Sequence, residues 1–375
     1  MNINRAFSQI EPLLKPNKVV VIYGPRRVGK TTLLNEFLKT TKLKYRLDSG
    51  ENIRIQEILG SQDFKKIGEY IGGNELIAID EAQNIKGIGL GLKIIVDNFP
   101  DIKVIATGSS SFDLAGQIGE PLVGRKTTIN LYPFAQLELA QEQNAFDLKQ
   151  KLEDFLLFGS YPNVYTAKTK DEKISALNDI ADSYLLKDVL AIDRVKKPKI
   201  IIDLVKMLAL QIGSEVSLTE LAQNLSVNLN TIAKYLDILE KGFVIISCGA
   251  LKRNLRNEIR GKKKYYFYDN GVRNALLSQF NGLSLRNDTG ALWENFIFTE
   301  RLKTRAYKNI YANYYFWRTY QQKEIDLVEE YGGVLHGYEF KFTGGAAKPK
   351  EFLEAYPQST FEAINKENYL DFLTK

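Results

Sequence analysis

Over the first 130 residues, short uninterrupted apolar runs alternate with amphipathic stretches. VVVIY (Val19 to Tyr23), ELIAIDEAQ (Glu75 to Gln83) and IKVIATG (Ile102 to Gly108) each carry a compact apolar run too short for an ordinary helix. Such runs predict strands buried on both faces. The segment Thr31 to Leu38 reads as the start of an amphipathic helix after the first of them. Strand and helix in alternation predict an α/β fold with an open parallel sheet.

From about Phe134 to Lys199 the apolar positions recur at three and four, in QLELAQEQNAFDLKQKLEDFLLFG and KISALNDIADSYLLKDVLAI, which predicts helices. FGSYPNVY, with Gly159 and Pro162, breaks them as a turn, and Tyr161 within it is expected to pack rather than to react. IIDLVKMLALQIG reads as one helix. SLTELAQNLSVNLNTIAKYLDILEKGFVI then reads as helix, turn, helix and strand, with Ser217 and Thr219 as N-cap candidates and Gly242 as the glycine that ends the second helix. This is the pattern of a winged helix, with a recognition helix from Asn230 to Leu239 exposing Asn230, Thr231 and Lys234. The strand KYYFYD is expected to alternate inward and outward, so that about half of Tyr265, Tyr266, Phe267 and Tyr268 pack in the core.

The chain has 375 residues, 44% hydrophobic and 26% charged, values of an ordinary globular protein of two to four domains. No apolar run is long enough for a signal peptide or a bilayer span, so a cytoplasmic protein without membrane attachment is expected. The lone Cys248 excludes an internal disulfide and reads as a buried strand residue, and one histidine, His336, argues against a histidine-built metal site. Net charge is +6, unevenly spread: from Leu251 to Lys264, LKRNLRNEIRGKKK carries Lys252, Arg253, Arg256, Arg260, Lys262, Lys263 and Lys264 against Glu258. Such a run suits a polyanion or a solvated loop, and it would form the wing.

Between the first strand and its helix stands GPRRVGKTTLL. Gly24, Gly29, Lys30 and Thr31 fit G-x-x-x-x-G-K-[ST], in which backbone N–H groups and a helix N-terminus cradle phosphates. Gly24, Pro25, Val28, Gly29, Lys30, Thr31 and Thr32 are therefore the expected ATP-binding residues, and the loop chemistry itself does not require Arg26 and Arg27 between them. Lys30 would reach the β- and γ-phosphates, and Thr31 would hold Mg²⁺. Asp80, where the second strand emerges, would complete the Mg²⁺ shell, and Glu81 would orient and deprotonate the attacking water. Thr107, Gly108 and Ser109 end the third strand, where a hydroxyl would sense the γ-phosphate or cap a helix. Arg125, in PLVGRKT, is a candidate for charge stabilisation in cis or from a neighbouring subunit.

GPRRVGKTTLL, LIAIDEAQ, ATGSSSFDL, LVGR, LYPF and FGSYP together resemble the prokaryotic AAA-type P-loop ATPases that carry a C-terminal domain of poorly defined role. The resemblance implies an AAA-type core with a helical lid, and it includes Arg26 and Arg27 in the signature. It also allows a homo-oligomer in which Arg125 reaches a neighbour's site.

Near the C-terminus, the helix GALWENFIFTERL precedes the strands YYFWRTYQQKEIDLVEE and VLHGYEFKF. Asp326 lies on one strand, Glu339 and Lys341 share a face of the next, and Glu294 on the helix could complete an acidic cluster able to hold a divalent cation. These residues resemble the core of the restriction-endonuclease-like families, an Asp followed by Glu-x-Lys on the adjacent strand. The same residues could equally form a salt-bridge cluster in a retained fold.

The expected order is a P-loop ATPase core at 1–133, a helical lid at 134–199, a winged helix at 200–277 and an α+β nuclease-like domain at 278–375. Three activities fit: an ATPase that couples nucleotide state to a partner, double-stranded DNA first, through the winged helix; an ATP-gated, metal-dependent DNA nuclease; and a slow nucleotide switch working through protein contacts.

Overall fold

The computed structural model describes residues 3–108, 121–182, 197–252, 262–319, 321 and 323–374. Ser109, Arg253, Arg256, Glu258 and Arg260 lie outside the described residues. The chain forms two compact units, one of Asn4–Pro133 with Lys241–Phe243, the other of Met1–Ile3, Phe134–Glu240 and Val244–Lys375.

In the first unit the apolar runs are strands, as their composition requires. β1 (Val19–Tyr23), β2 (Tyr45–Ser49), β3 (Leu76–Asp80), β4 (Lys103–Gly108) and β5 (Lys126–Asn130) form a parallel sheet in the order β2-β3-β4-β1-β5. The helices α1 (Lys30–Thr40), α2 (Ile53–Gly60), α3 (Phe64–Ile71) and α4 (Ile88–Asn98) alternate with the strands. Every residue of β1 is buried, the mark of a strand covered on both faces. Asn52 caps α2 by accepting from the Arg54 N–H, and Asp63 caps α3 by accepting from Lys65 and Lys66. Parallel register brings the carboxyl ends of neighbouring strands to one edge: Ile79 lies opposite Ala106, Tyr23 opposite Gly108, and Ser49 opposite Asp80. In open parallel sheets ligands bind at that edge.

The second unit opens with short helices rather than long ones: α5 (Gln136–Leu139), α6 (Ala145–Gln150), α7 (Leu152–Phe158), α8 (Pro162–Thr166) and α9 (Lys170–Ala181). Asn144, whose side chain accepts from the Asp147 N–H, starts α6, and Gly159 at φ 71° follows α7. Tyr161 in the intervening turn is buried, so it packs. Next come α10 (Pro198–Leu210), β6 (Glu215–Val216), α11 (Leu218–Asn224), α12 (Leu229–Lys241), β7 (Ile245–Ala250), β8 (Lys263–Phe267) and α13 (Asn270–Leu276). The chain ends with α14 (Thr289–Lys308), β9 (Asn313–Arg318), β10 (Glu324–Tyr331), β11 (Val334–Phe340), α15 (Lys350–Ala355), β12 (Thr360–Ile364) and α16 (Tyr369–Thr374).

Three local expectations are corrected. Ser217, accepting from the Glu220 N–H, caps α11, and Thr219 lies inside that helix instead of capping it; at α12 the side chain of Asn228 accepts from the Thr231 N–H at 2.8 Å. The left-handed residue after α12 is Phe243, at φ 59°, not Gly242; the Val244 N–H donates to the Leu239 carbonyl at 3.0 Å, a Schellman closure one residue later than the glycine suggests. Burial of the Phe243 ring offsets the strain of that conformation. Tyr265, Tyr266 and Phe267 are all buried, because β8 is an inner strand between β7 and β6 and both its faces are covered.

The helix-turn-helix segment and the C-terminal strands are joined in one mixed sheet, β12-β11-β10-β9-β7-β8-β6. β9 pairs in parallel with β7 and antiparallel with β10. The register between β9 and β10 slips between Ile325 and Val328, so two residues, Asp326 and Leu327, oppose Phe316 alone. A β-bulge of this kind re-aims a side chain, and here one of the two is Asp326. No described helix is long and apolar enough to cross a membrane.

Candidate functional site

The phosphate loop leaves β1 at the carboxyl edge and enters α1. Gly24 is required by geometry: a Cβ there would lie 2.0 Å from the Leu131 carbonyl oxygen. Gly29, at φ 95°, directly precedes Lys30 in the left-handed conformation that glycine adopts without cost. Arg26 and Arg27 are exposed, whereas Pro25 and Val28 are buried, and Arg27 is also left-handed at φ 62°. Lys30 is 4% exposed and folds back over the loop, where its Nζ donates to the carbonyls of Gly24 at 3.0 Å and Pro25 at 2.8 Å. Thr31 and Thr32 open α1 and are exposed at the mouth of the loop.

Thr31, Asp80 and Thr107 converge. Thr31 Oγ1 donates to Asp80 Oδ2 at 2.9 Å, and Thr107 Oγ1 donates to Asp80 Oδ1 at 2.5 Å. β4 lies between β1 and β3, which is why Thr107 stands between the loop and Asp80. The Glu81 N–H donates to Thr107 Oγ1 at 3.1 Å, and the Glu81 carboxylate accepts from Gln83 Nε2. Glu81 itself is left-handed, at φ 51° and ψ 44°, an uncommon conformation for a residue with a Cβ. Gly50 presses against this turn: a Cβ at 50 would lie 2.3 Å from the Glu81 carbonyl oxygen. Beside Thr31 and Asp80 a cavity of about 150 Å³ is lined also by Leu34, Asn35, Leu47, Asp48 and Ser49. Two glycines without Cβ, a lysine inside the loop and a hydroxyl bonded to a carboxylate suit a nucleotide polyphosphate with its Mg²⁺.

In the second unit the predicted acidic residues gather, and a lysine joins them. Asp326 on β10 is 7% exposed, and its Oδ2 accepts from the Phe340 N–H at 2.8 Å. Lys264 Nζ, on β8, lies 2.9 Å from Glu294 Oε1 and 3.8 Å from Asp326 Oδ1, and it also pairs with Glu324. The Tyr266 hydroxyl donates to the same Glu294 oxygen at 2.7 Å. Lys264 is only 2% exposed. Burial alone would lower the lysine's pKa; the Glu294, Asp326 and Glu324 carboxylates outweigh it and hold the ammonium charged. Burial pushes Asp326 well above the usual carboxylate range, and Glu294 and Glu339 add to the shift against the pull of Lys264. Glu339 pairs with Lys341 at 2.8 Å, and Lys341 lies just past the end of β11 on the exposed rim. Among the described residues no three His, Cys, Asp or Glu side chains are placed to hold a metal ion together.

Residues 16–140 match the family model described as AAA domain. Two further models, Domain of unknown function (DUF8612) and Domain of unknown function (DUF4143), match residues 149–283 and 289–368. The chain thus carries an AAA domain in its N-terminal unit. It is 27% identical over 342 residues to an uncharacterized protein of Mycobacterium tuberculosis, covering 90% of this chain and 73% of that one. An uncharacterized protein of Haemophilus influenzae is 28% identical over 309 residues, covering 76% and 74%, and one of Methanocaldococcus jannaschii is 23% identical over 386, covering 97% and 83%. Among solved structures, a Signal Transduction ATPase with Numerous Domains (STAND) protein with a tetratricopeptide repeat sensor from Pyrococcus horikoshii aligns at TM-score 0.31 and 16% identity, over 82% of this chain. The chain spans 48% of that structure's length. AMPPCP-bound DnaA from Aquifex aeolicus aligns at TM-score 0.25 and 15% identity, over 62% of this chain and 84% of DnaA. Nucleotide binding and hydrolysis are assigned to the N-terminal unit by its AAA domain.

One candidate residue of the AAA domain sits away from the loop within its own unit. The Arg125 carbonyl accepts from the Val19 N–H at 2.8 Å, which puts Arg125 at the amino edge of the sheet, opposite the edge where Lys30, Asp80 and Thr107 meet. Its Nε pairs with Asp97 Oδ1 at 2.6 Å. A role in cis at the γ-phosphate is therefore not supported by this geometry. Sequence reasoning missed Arg5, which bonds the loop from far along the chain, and Gln83, which holds the Glu81 carboxylate. It also read Lys264 as part of a surface run. A lone arginine near the start of a chain carries no local signal, whereas Gln83, two residues after Glu81 in DEAQ, could have been found.

Proposed function

We propose that the N-terminal unit hydrolyses Mg·ATP at the carboxyl edge of its sheet, and that the nucleotide state controls engagement of duplex DNA by the helix-turn-helix segment. The observation that carries the first part is the convergence of Lys30, Thr31, Asp80, Glu81 and Thr107 at one edge. Mg²⁺, when bound with ATP, would neutralise charge on the β- and γ-phosphates. Lys30 would leave the carbonyls of Gly24 and Pro25 for those phosphates, while Thr31 and Asp80 would hold the metal shell. Glu81 would take the proton of the attacking water, its carboxylate aimed by Gln83 and its backbone tied to Thr107.

For the second part, residues 134–199 serve as a lid, 200–277 as a winged helix and 278–375 as a nuclease-like domain. α12 exposes Asn230, Ala233, Lys234, Asp237 and Lys241, a face with nearly balanced charge. Electrostatic affinity for DNA would therefore rest on the basic run after β7, of which Lys262 and Lys263 are exposed on the hairpin. Lys262→Glu with Lys263→Glu is expected to weaken duplex binding at 50 mM salt by about tenfold or more and to flatten its salt dependence by about two units of slope. Fluorescence anisotropy across a salt series checks this; wild-type affinity and slope in the double variant would turn the segment toward a protein partner. A metal-dependent nuclease fits less well, because the Lys264 ammonium already stands among the Glu294, Glu324 and Asp326 carboxylates.

A further inference from the structure

Arg5 lies ahead of the residues that match the AAA domain, 16–140, yet it is 7% exposed inside the N-terminal unit. Its Nη1 donates to the Val28 carbonyl at 2.9 Å and its Nη2 to the Tyr132 carbonyl at 2.6 Å. Val28 is the residue before Gly29 in the phosphate loop. A trans peptide is planar, with its C=O and the following N–H pointing to opposite sides. Holding the Val28 carbonyl toward the guanidinium therefore turns the Gly29 N–H away from it.

The second bond fastens the same guanidinium to the segment that supports the other end of the loop. Tyr132 follows Leu131, whose N–H donates to the Tyr23 carbonyl at 2.7 Å and whose carbonyl packs on the bare Cα of Gly24. One planar fork thus ties the last turn of the loop to the strand end beside its first residue. Arginine suits this task because its donors are fixed in one plane and its charge is permanent.

We propose that Arg5 is a positioning residue of the nucleotide site: it fixes the Val28–Gly29 peptide so that the Gly29 N–H faces the phosphates of a bound nucleotide. The N-terminal segment outside the matched domain then completes the cradle. This rests on the ATP-site reading, and the two can fail separately.

The test uses the full chain and a fluorescent ATP analogue with Mg²⁺, together with steady-state hydrolysis, for wild type, Arg5→Ala, Arg5→Lys and Lys30→Ala. Arg5→Ala is expected to raise Kd by about tenfold to a hundredfold, the loss of charge-assisted hydrogen bonds. KM should rise by more than kcat falls, because the residue shapes binding and not proton transfer. Arg5→Lys, which keeps charge but not the fork, should fall between. Wild-type affinity in Arg5→Ala, with binding lost in Lys30→Ala, would overturn the proposal; binding kept in Lys30→Ala would instead overturn the nucleotide-site reading. If Arg5→Ala does not fold, Arg5→Lys decides: a raised Kd supports the role and a wild-type Kd removes it.

Discussion

Glu81→Gln is expected to lower kcat for ATP hydrolysis by about 10²- to 10⁴-fold, the range general-base catalysis supplies, while nucleotide still binds. The substitution keeps the shape of the side chain. The amide oxygen of the new residue can still accept from Gln83, and the backbone bond from residue 81 to Thr107 Oγ1 is untouched. The left-handed conformation at 81 costs glutamine no more than glutamate. What is lost is the capacity to take a proton, so the defect should appear in kcat and not in Kd. Single-turnover hydrolysis beside equilibrium binding separates the two, and turnover within a few-fold of wild type would move the general-base role to another residue.

Lys264→Met should cost the second unit about 3–5 kcal/mol, the loss that follows when one partner of a buried ionic cluster is removed. Methionine fills nearly the same volume, so the change is one of charge rather than packing. Glu294 and Asp326 then lose the cation that pairs with them, Glu324 keeps only Arg318 at 3.8 Å, and Tyr266 continues to donate to Glu294. For a unit of this size that loss corresponds to a fall in melting temperature of about 10 °C. Adding Asp326→Asn to Lys264→Met removes a buried carboxyl whose ionisation is already opposed by burial, Glu294 and Glu339, and should restore part of the stability. Calorimetry on the single and double variants checks both statements. A single variant as stable as wild type would show that Lys264 does not neutralise the cluster.

The parts of the site that were legible in the sequence are those written within a few residues. GPRRVGKTT specifies its own loop, because the glycines, the lysine and the helix start follow one another, and LIAID ends where a buried strand must surface. The meeting of Asp80 with Thr107 followed from the rule that parallel strands present their carboxyl ends together. Arg125 misled because a loop residue between two strands gives no sign of which edge it occupies; its position is set by the pairing of β5 with β1. Lys264 was hidden for a related reason. Its neighbours Lys262 and Lys263 are exposed, but the inner place of β8 in the sheet turns Lys264 toward β10 and α14, far along the chain.

The C-terminal pattern was read correctly as one helix followed by strands carrying Asp326 and Glu339. The bulge at Asp326 was not readable, since EIDLVEE shows no residue that demands one. Nor could composition reveal that the helix-turn-helix hairpin and these strands share a sheet, because that union depends on the short parallel pairing of Gly249 and Ala250 with Tyr315 and Phe316.

The central claim is that Lys30, Thr31, Asp80 and Glu81 form one working ATP site, and phosphate release from Mg·ATP by wild type and Lys30→Ala tests it most directly. Lys30 makes its described hydrogen bonds to the loop carbonyls of Gly24 and Pro25, so its replacement should leave the unit folded while removing the cation expected at the β- and γ-phosphates. Steady release by wild type that Lys30→Ala abolishes, with the variant's melting curve preserved, is the predicted result. Equal release from both proteins would contradict it.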